Sequence, residues 1–241
     1  LGVMGTKPIH LMSLEERNKC PLIKDYFIDT GLPKAELEKS IQIGDPITRE
    51  RDLVQMGRCI NAKSLDNRIS VYTLIQIIKR LNNVPTDITV HFAFTVQEEV
   101  GLRGAKTLST QINPDFAINI DTTIAYDVPG SQAHEAVTKL GSGVGIKIMD
   151  SSVVSDYRMV QFLKNLAEKN NINWQPELLP AGGTDTSAIQ TSGNGCIVGA
   201  LSIPTRHIHQ VIEMIHMDDV TDTIELSIAS IQNIIHHDWS H

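Results

Sequence analysis

The stretch ITVHFAFTVQEEVGLRGAKTLS (residues 88–109) and the FAINID that follows at residues 116–121 decide the fold class. Residues 88–96 are rich in β-branched and aromatic side chains, which predicts a strand. Residues 98–109 predict a turn that leads into a helix, and residues 116–121 predict a second strand. Strands that alternate with helices indicate an α/β sheet that is covered on both faces.

The same alternation continues on both sides of this stretch. Ser64 and Asp66 precede apolar residues at helical spacing that extend to Leu81, which predicts a helix of roughly four turns. We therefore predict an α/β fold with a mixed central sheet flanked by helices. The further strands are expected at residues 145–150, 172–180 and 195–204, and the further helices at residues 155–171, 182–190 and 219–237.

The N-terminal part of the chain has a different pattern of apolar and turn-forming residues. YFIDTG (26–31) and IQIGDPIT (41–48) are short apolar runs stopped by Gly, Asp and Pro, with a short helical pattern between them. We predict a small β-rich lobe at residues 1–57 and an α/β domain at residues 58–241. The opening LGVMGTKPIHLM has the pattern of strand and turn inside a domain, so we expect the sequence to begin within a longer protein.

Composition excludes several classes of protein. The 241 residues are 41% hydrophobic with a net charge of −7, which suits a sizeable core and argues against global disorder. An acidic balance argues against nucleic acid and anionic membranes as partners, and no apolar run approaches the roughly 20 residues that span a bilayer. The three cysteines, Cys20, Cys59 and Cys196, lie far apart, which predicts reduced thiols and a cytoplasmic location.

Acidic residues and histidines follow the predicted strands where those strands end. In open α/β sheets, ligands bind beyond the carboxyl ends of the strands. Neighbouring carboxylates repel one another unless a cation or protons neutralise them, so a metal site is the economical explanation. Mixed Asp, Glu and His ligands suit Zn²⁺ or Co²⁺ better than Ca²⁺. The residues concerned are Glu98, Glu99, Asp121, Arg206, His207 and His209, with Asp66 at the start of a helix.

The Glu98-Glu99 pair has a chemical interpretation. One carboxylate can bind a metal ion while the other stays free as a base, and metal-activated water with a nearby carboxylate is the usual machinery for amide hydrolysis. The sequence allows two interpretations for each of two other residues. Asp185 either caps a helix or lies beside the site, and Arg206 is either a surface charge or neutralises the acidic rim.

Five motifs follow one another along the chain: SLDNR (64–68), TVQEEVGLRGA (95–105), INIDTT (118–123), GGTDTSAIQ (182–190) and PTRHIHQVIEMIH (204–216). Together they resemble the M42 family of metallo-aminopeptidases. The resemblance implies a zinc-peptidase-like fold, and GTKPIHLMSLEER with IGDPIT resembles the dimerisation lobe of that family, here incomplete. It also implies self-association into dimers and a dodecamer that admits short peptides.

The resemblance also implies a role for each site residue. Asp66 would bridge two divalent ions, Zn²⁺ or Co²⁺ with Mn²⁺ as a further option, and Glu98 would be the general base. Glu99 and His209 would bind one ion, and Asp121 would bind the other. A cis peptide bond is expected between Asp66 and Asn67. Residues expected to line the substrate site are Arg206, His207, Gly183 and Asp185.

Three functions follow as hypotheses. The first is a cytoplasmic dinuclear aminopeptidase that trims short peptides. The second is a truncated or inactive subunit, because the family pattern has a further metal-binding histidine in an H-x-D segment and none precedes Asp66. The third is a metal-dependent deacylase on the same site. A paired-carboxylate glycosidase fits the adjacent glutamates less well than a metal does.

Overall fold

A computed structural model describes residues 1–81 and 87–240, and it divides into two compact units. The first unit spans Leu1–Thr48 and the second spans Arg49–His241. The division therefore comes earlier than the predicted boundary at residue 57. The reason is that the short strand Val54–Met56 pairs with a strand of the second unit and belongs to its sheet.

The first unit is small and has no interior. Its strands β1 (Val3–Gly5) and β2 (Phe27–Asp29) form an antiparallel pair, and its helices are α1 (Leu14–Arg17) and α2 (Lys34–Ser40). None of its 48 residues is buried. The helical pattern before Ile41 is confirmed by α2, whereas the apolar run at residues 41–48 forms no strand, because Gly44 and Pro46 interrupt it.

Within the described residues, the second unit contains a mixed sheet, as predicted, and this sheet has seven strands. They are β3 (Val54–Met56), β4 (Cys59–Ala62), β5 (Phe116–Ile124), β6 (Val144–Met149), β7 (Trp174–Leu178), β8 (Ile197–Arg206) and β9 (Glu213–His216). The strand order is β3-β4-β9-β8-β6-β7, and β5 pairs with β8 in parallel along its whole length. The β6/β7 pair is parallel, whereas β8 is antiparallel to both β6 and β9.

Helices cover this sheet and enclose two apolar clusters. The helices are α3 (Leu65–Arg80), α4 (Arg103–Ile112), α5 (Tyr157–Lys169), α6 (Asp185–Gln190) and α7 (Met217–Asn233). One cluster centres on α5 and β6, with Leu163 and Val144 fully buried. The other contains Ile69, Ile77 and Ile203, from α3 and β8. These helices lie within four residues of their predicted bounds.

The strand predicted at residues 88–96 is wrong for the structure. Residues 87–97 contain no strand, although Ile88, Val90 and Phe92 are half-buried. A β-strand requires backbone hydrogen bonds to a neighbouring strand, and within the described part of the chain no segment forms such bonds with residues 88–95. A high β-propensity therefore shows that these side chains suit a sheet, but it does not provide the neighbouring strand that pairing requires.

The described residues include no helix long and apolar enough to cross a membrane.

Candidate metal centre

The chemistry-bearing residues surround one cavity of about 480 Å³ in the second unit. β5 contributes residues from its carboxyl end, and α3 contributes its first turn. The turn before α4 and the loop between β8 and β9 complete the acidic side. The lining includes Asp66, Glu98, Glu99, Asp121, Lys147, Gly183, Thr184 and His209.

Asp66, Glu99 and His209 form a cluster that could hold a metal ion. One ligand atom from each lies within 4.8 Å of the other two. His209 Nε2 is 3.0 Å from Asp66 Oδ2 and 3.5 Å from Glu99 Oε1. Burial, followed by the charge of Glu99, raises the pKa of Asp66. A cation would relieve this repulsion, and two carboxylates with an imidazole are a ligand set that Zn²⁺ accepts.

Glu213 connects two members of this cluster, and the sequence analysis missed it. Its side chain is buried, and its Oε2 accepts the backbone N–H of Asp66 at 2.9 Å. Its Oε1 accepts the backbone N–H of His209 at 3.0 Å. One carboxylate on β9 therefore fixes the backbone of two elements that are distant in sequence. An acid flanked by apolar residues on both sides, in VIEMI (211–215), was the available signal in the sequence.

Glu98 lies beside the cluster on a short turn that ends at Val100. Burial raises its pKa to about 7, and the charges of Asp185, Glu99 and Asp66 act in the same direction. A carboxyl group that titrates near neutral pH is suited to accept and return a proton.

Asp121 lines the same cavity but stands outside the three-residue cluster. It is 7% exposed on β5, and its Oδ1 accepts the backbone N–H of Thr122 at 2.8 Å. Burial raises its pKa well above the usual range, and the charges of Asp66 and Glu98 add to the shift. The structure therefore brings Asp121 to the cavity without joining it to the ligand atoms of His209 and Glu99.

The four residues predicted to line the substrate site have different positions. Gly183 lines the main cavity, whereas His207 lines a neighbouring cavity of about 130 Å³. Arg206 makes a two-pronged ion pair with Asp127, at 2.7 and 2.8 Å, instead of facing the acidic rim. Asp185 is the first residue of α6 and accepts the hydroxyl of Thr95 at 2.6 Å, so it braces the segment before Glu98.

The backbone around the cluster adopts conformations that are uncommon for residues with side chains. Gln97 and Leu102, on either side of the glutamate turn, have φ of 59° and 57°. His209 itself has φ of 61°. Such left-handed residues are strained and tend to occur at functional sites. The expected cis peptide bond between Asp66 and Asn67 is present.

Comparison with known proteins identifies the family. A family model described as M42 glutamyl aminopeptidase matches residues 1–226. The chain belongs to the M42 peptidase family. A candidate aminopeptidase of Acetivibrio thermocellus is 39% identical over 231 residues, which cover 95% of this chain and 68% of that protein.

Solved structures of M42 relatives have the same fold. An aminopeptidase of the archaeon Desulfurococcus kamchatkensis superposes with a TM-score of 0.91 at 37% identity, over 96% of this chain and 64% of that one. The TET1 peptidase of Pyrococcus horikoshii, which assembles into a tetrahedron or an octahedral shell, has a TM-score of 0.77 at 33% identity. It matches over 95% of this chain and 67% of its own. The present chain thus spans about two thirds of the length of these M42 relatives.

Proposed function

We propose that this M42 chain carries the site of a metal-dependent aminopeptidase that removes N-terminal residues from short peptides. The observation that supports it is the group of Asp66, Glu99 and His209, with ligand atoms within 4.8 Å, beside a free carboxyl group on Glu98. A cluster of ligands with an adjacent base is the arrangement that amide hydrolysis requires. A cytoplasmic location remains part of this proposal.

Divalent ions fit the donors that line the cavity. Asp66, Glu99 and His209 would hold one ion, and Asp66 with Asp121 would contribute to a second. When bound, such ions polarise a carbonyl group and make water more acidic. The raised pKa values of Asp66 and Asp121 support this fit, because buried carboxylates without a cation favour their neutral form. Zn²⁺ and Co²⁺ suit these ligands, with Mn²⁺ as the alternative.

Glu98 would move the proton in this reaction. Its carboxylate takes a proton from the attacking water and gives it to the nitrogen of the departing amine. An amine must leave in its neutral form, so the residue has to act first as base and then as acid. Its pKa of about 7 suits both steps near neutral pH. Asp66 and His209, fixed by Glu213, would keep the reacting groups in place beside it.

A non-catalytic subunit is the alternative function. It is favoured by the position of Asp121, which lines the cavity but lies outside the group of ligand atoms from Asp66, Glu99 and His209. In this hypothesis the chain assembles with other copies through the first unit but turns over no peptide. A deacylase on the same site would differ in cleaving acyl-blocked peptides that have no free amine.

Metal content and turnover together test the proposal. The purified chain is loaded with Zn²⁺ or Co²⁺, desalted, analysed by elemental mass spectrometry and assayed on free and acyl-blocked aminoacyl substrates. We expect bound metal and cleavage of free N-termini. Glu98→Gln should retain metal and lose nearly all turnover, whereas Glu168→Gln, at an exposed position of α5, should leave both unchanged. Absence of metal and turnover would favour the non-catalytic subunit, and normal turnover by Glu98→Gln would refute its role as base.

A further inference from the structure

A second cavity adjoins the cavity of the metal centre. Its volume is about 130 Å³, and Ile124 and Ile208 line both cavities. Ile208 immediately precedes His209 of the metal-binding cluster, and Ile124 is the last residue of β5, the strand that carries Asp121. The two cavities therefore share a wall of two isoleucine side chains. A molecule bound at the metal centre lies within reach of the second cavity.

The walls of the second cavity come from two segments that are held together. One segment is the end of β5 with the residues after it, and the other is the end of β8 with the loop after it. The backbone N–H of Ala125 donates to the carbonyl oxygen of Thr205 at 3.1 Å. Arg206 donates to both carboxylate oxygens of Asp127, at 2.7 and 2.8 Å, across the two segments. The cavity is therefore preformed, as binding sites for small ligands usually are.

The lining of this cavity favours an uncharged side chain. Ile124, Ala125, Val128 and Ile208 supply apolar surface, and the described residues that line it include no Asp, Glu, Lys or Arg. An apolar cavity of about 150 Å³ in another protein binds benzene, so the size suits a branched aliphatic or a single aromatic side chain. The polar part of the lining is exposed and consists of Tyr126, His207 and Gln210.

We propose that the second cavity binds the side chain of the second residue of a peptide substrate and prefers a branched aliphatic or aromatic one. This inference rests on the proposed aminopeptidase function. The first residue has to keep its amine and its scissile carbonyl at the metal ligands, so it occupies the larger cavity. The second residue is joined to it directly, with about 3.8 Å between the Cα atoms. Its side chain therefore reaches past Ile124 and Ile208 into the neighbouring cavity.

This assignment gives distinct roles to two residues that were predicted to line the substrate site. His207 lines the second cavity directly. Arg206 is a positioning residue, because its ion pair with Asp127 connects the two segments that form the walls. Specificity for the second residue then depends on both segments keeping their relative position.

Binding of dipeptide amides to the Zn²⁺-loaded chain tests the assignment. Glycyl-leucinamide and leucylglycinamide have the same atoms but carry the leucine side chain on different residues, and glycylglycinamide lacks it. Calorimetry uses the Glu98→Gln chain, and chromatography verifies that the peptides stay intact. We expect glycyl-leucinamide to bind at least about tenfold more tightly than glycylglycinamide, because its side chain leaves water. In NMR spectra of isoleucine δ1-methyl groups, it should shift Ile124 and Ile208 more than leucylglycinamide does.

Val128→Phe, which fills the cavity, makes the test specific. It should remove the gain of at least about tenfold for glycyl-leucinamide and leave the affinity for leucylglycinamide unchanged. Val154→Phe is the matched control and should change neither affinity, since Val154 is 66% exposed and does not line the cavity. Circular dichroism verifies that both variants fold.

Gln210→Glu is a second variant, and it leaves the apolar surface of the cavity in place. Gln210 is exposed, so a carboxylate is tolerated there. It should improve the binding of glycyl-lysinamide relative to glycyl-leucinamide by roughly fivefold, because opposite charges a few ångströms apart attract even in water. Gln111→Glu, at an exposed position of α4, is the control and should leave this ratio unchanged.

The outcomes separate this inference from the proposed function. Equal affinities for glycyl-leucinamide and glycylglycinamide would overturn the inference, and so would equal weakening of both isomers by Val128→Phe. Shifts of Ile124 and Ile208 by leucylglycinamide alone would assign the cavity to the first residue instead. These results would leave the aminopeptidase proposal intact, whereas absence of binding by every dipeptide amide to the folded, metal-loaded chain would overturn both.

Discussion

A substitution at Glu213 should show how much metal affinity depends on the positions of the ligands, because it leaves the ligand residues themselves unchanged. Its carboxylate accepts the backbone N–H groups of Asp66 and His209, yet it lies outside the three-residue ligand cluster. Glu213→Gln keeps the shape but turns one acceptor into a donor that faces an N–H group. Loss of such an outer partner lowers metal affinity by roughly 10- to 100-fold. Competition with a chelator measures this affinity, and the Co²⁺ absorption spectrum reports the ligand geometry.

Two further variants identify the cause of that loss. Glu168→Gln, on the exposed side of α5, is the control and should bind metal as the natural chain does. Glu213→Asp retains the charge but is shorter, so it should restore affinity only in part. An unchanged Co²⁺ spectrum and unchanged affinity in Glu213→Gln would mean that Glu213 stabilises the fold without positioning the ligands.

Asp219 should make stability depend on pH. It is fully buried, accepts the N–H groups of Gly141 and Gly143 at 2.8 Å, and has its pKa raised by burial from 3.8 to about 6. The folded state therefore favours the protonated form. Its contribution is greatest below pH 3.8 and falls by about 3 kcal/mol as pH rises through 6.

Urea unfolding of Asp219→Asn at pH 4, 5.5 and 7 checks this expectation. The free energy of unfolding of the natural chain should fall more between pH 4 and 7 than that of the variant. Asp52→Asn, at an exposed aspartate, is the control and should follow the natural chain. Parallel pH profiles for all three proteins would contradict the assignment to Asp219.

At the scale of elements, β6 and β7 are joined by a buried ion pair. Lys147 donates to Glu177 at 2.5 Å, and Thr123 of β5 donates to the same carboxylate oxygen at 2.6 Å. Lys147 and Glu177 are 1% and 0% exposed. Lys147→Met should lower the free energy of unfolding by about 3–5 kcal/mol, because it leaves a buried carboxylate without its cation. Urea denaturation measures the change.

The double variant Lys147→Met/Glu177→Met separates the charge from the packing. Replacing both members of a buried pair with apolar side chains is much less costly than removing one. The double variant should therefore be more stable than Lys147→Met alone. A double variant that is less stable than the single one would show that the pair contributes mainly through its hydrogen bonds to neighbouring strands.

Helices were predictable from the sequence, because the spacing of their apolar residues is visible within one short segment. The apolar spacing of α3, α5 and α7 predicted those helices, because one face of each packs on the sheet. The carboxyl ends of strands likewise indicated Asp121 and His209. Residues 88–96 and Glu213 were not predictable in this way. The first depends on a pairing partner that propensity does not supply. The second depends on a contact of Glu213 with the backbone of Asp66, which is 147 residues away in the sequence.

At the scale of the whole molecule, the first unit cannot be stabilised by a core of its own. None of its residues is buried, and large apolar side chains such as Leu14 and Ile23 are 79% and 93% exposed. A folded unit of this size normally needs buried apolar surface, a disulfide, a metal or a partner. Its three-residue strand pair and short helices supply little of this. We expect self-association to provide the missing burial; the TET1 peptidase of P. horikoshii, a relative of this chain, assembles into a tetrahedron or a large octahedral shell.

We therefore expect the chain to self-associate through Leu1–Thr48. Light scattering should give a mass that is a multiple of 26.6 kDa. Replacing Leu14, Ile23 and Ile43 together by Lys should lower that mass, because charges on apolar interface residues oppose burial. The same change at the exposed Val154, Tyr157 and Leu178 of the second unit is the control and should leave the mass unaltered. A monomeric natural chain, or equal dissociation by both sets of substitutions, would mean that the first unit is not the assembly surface.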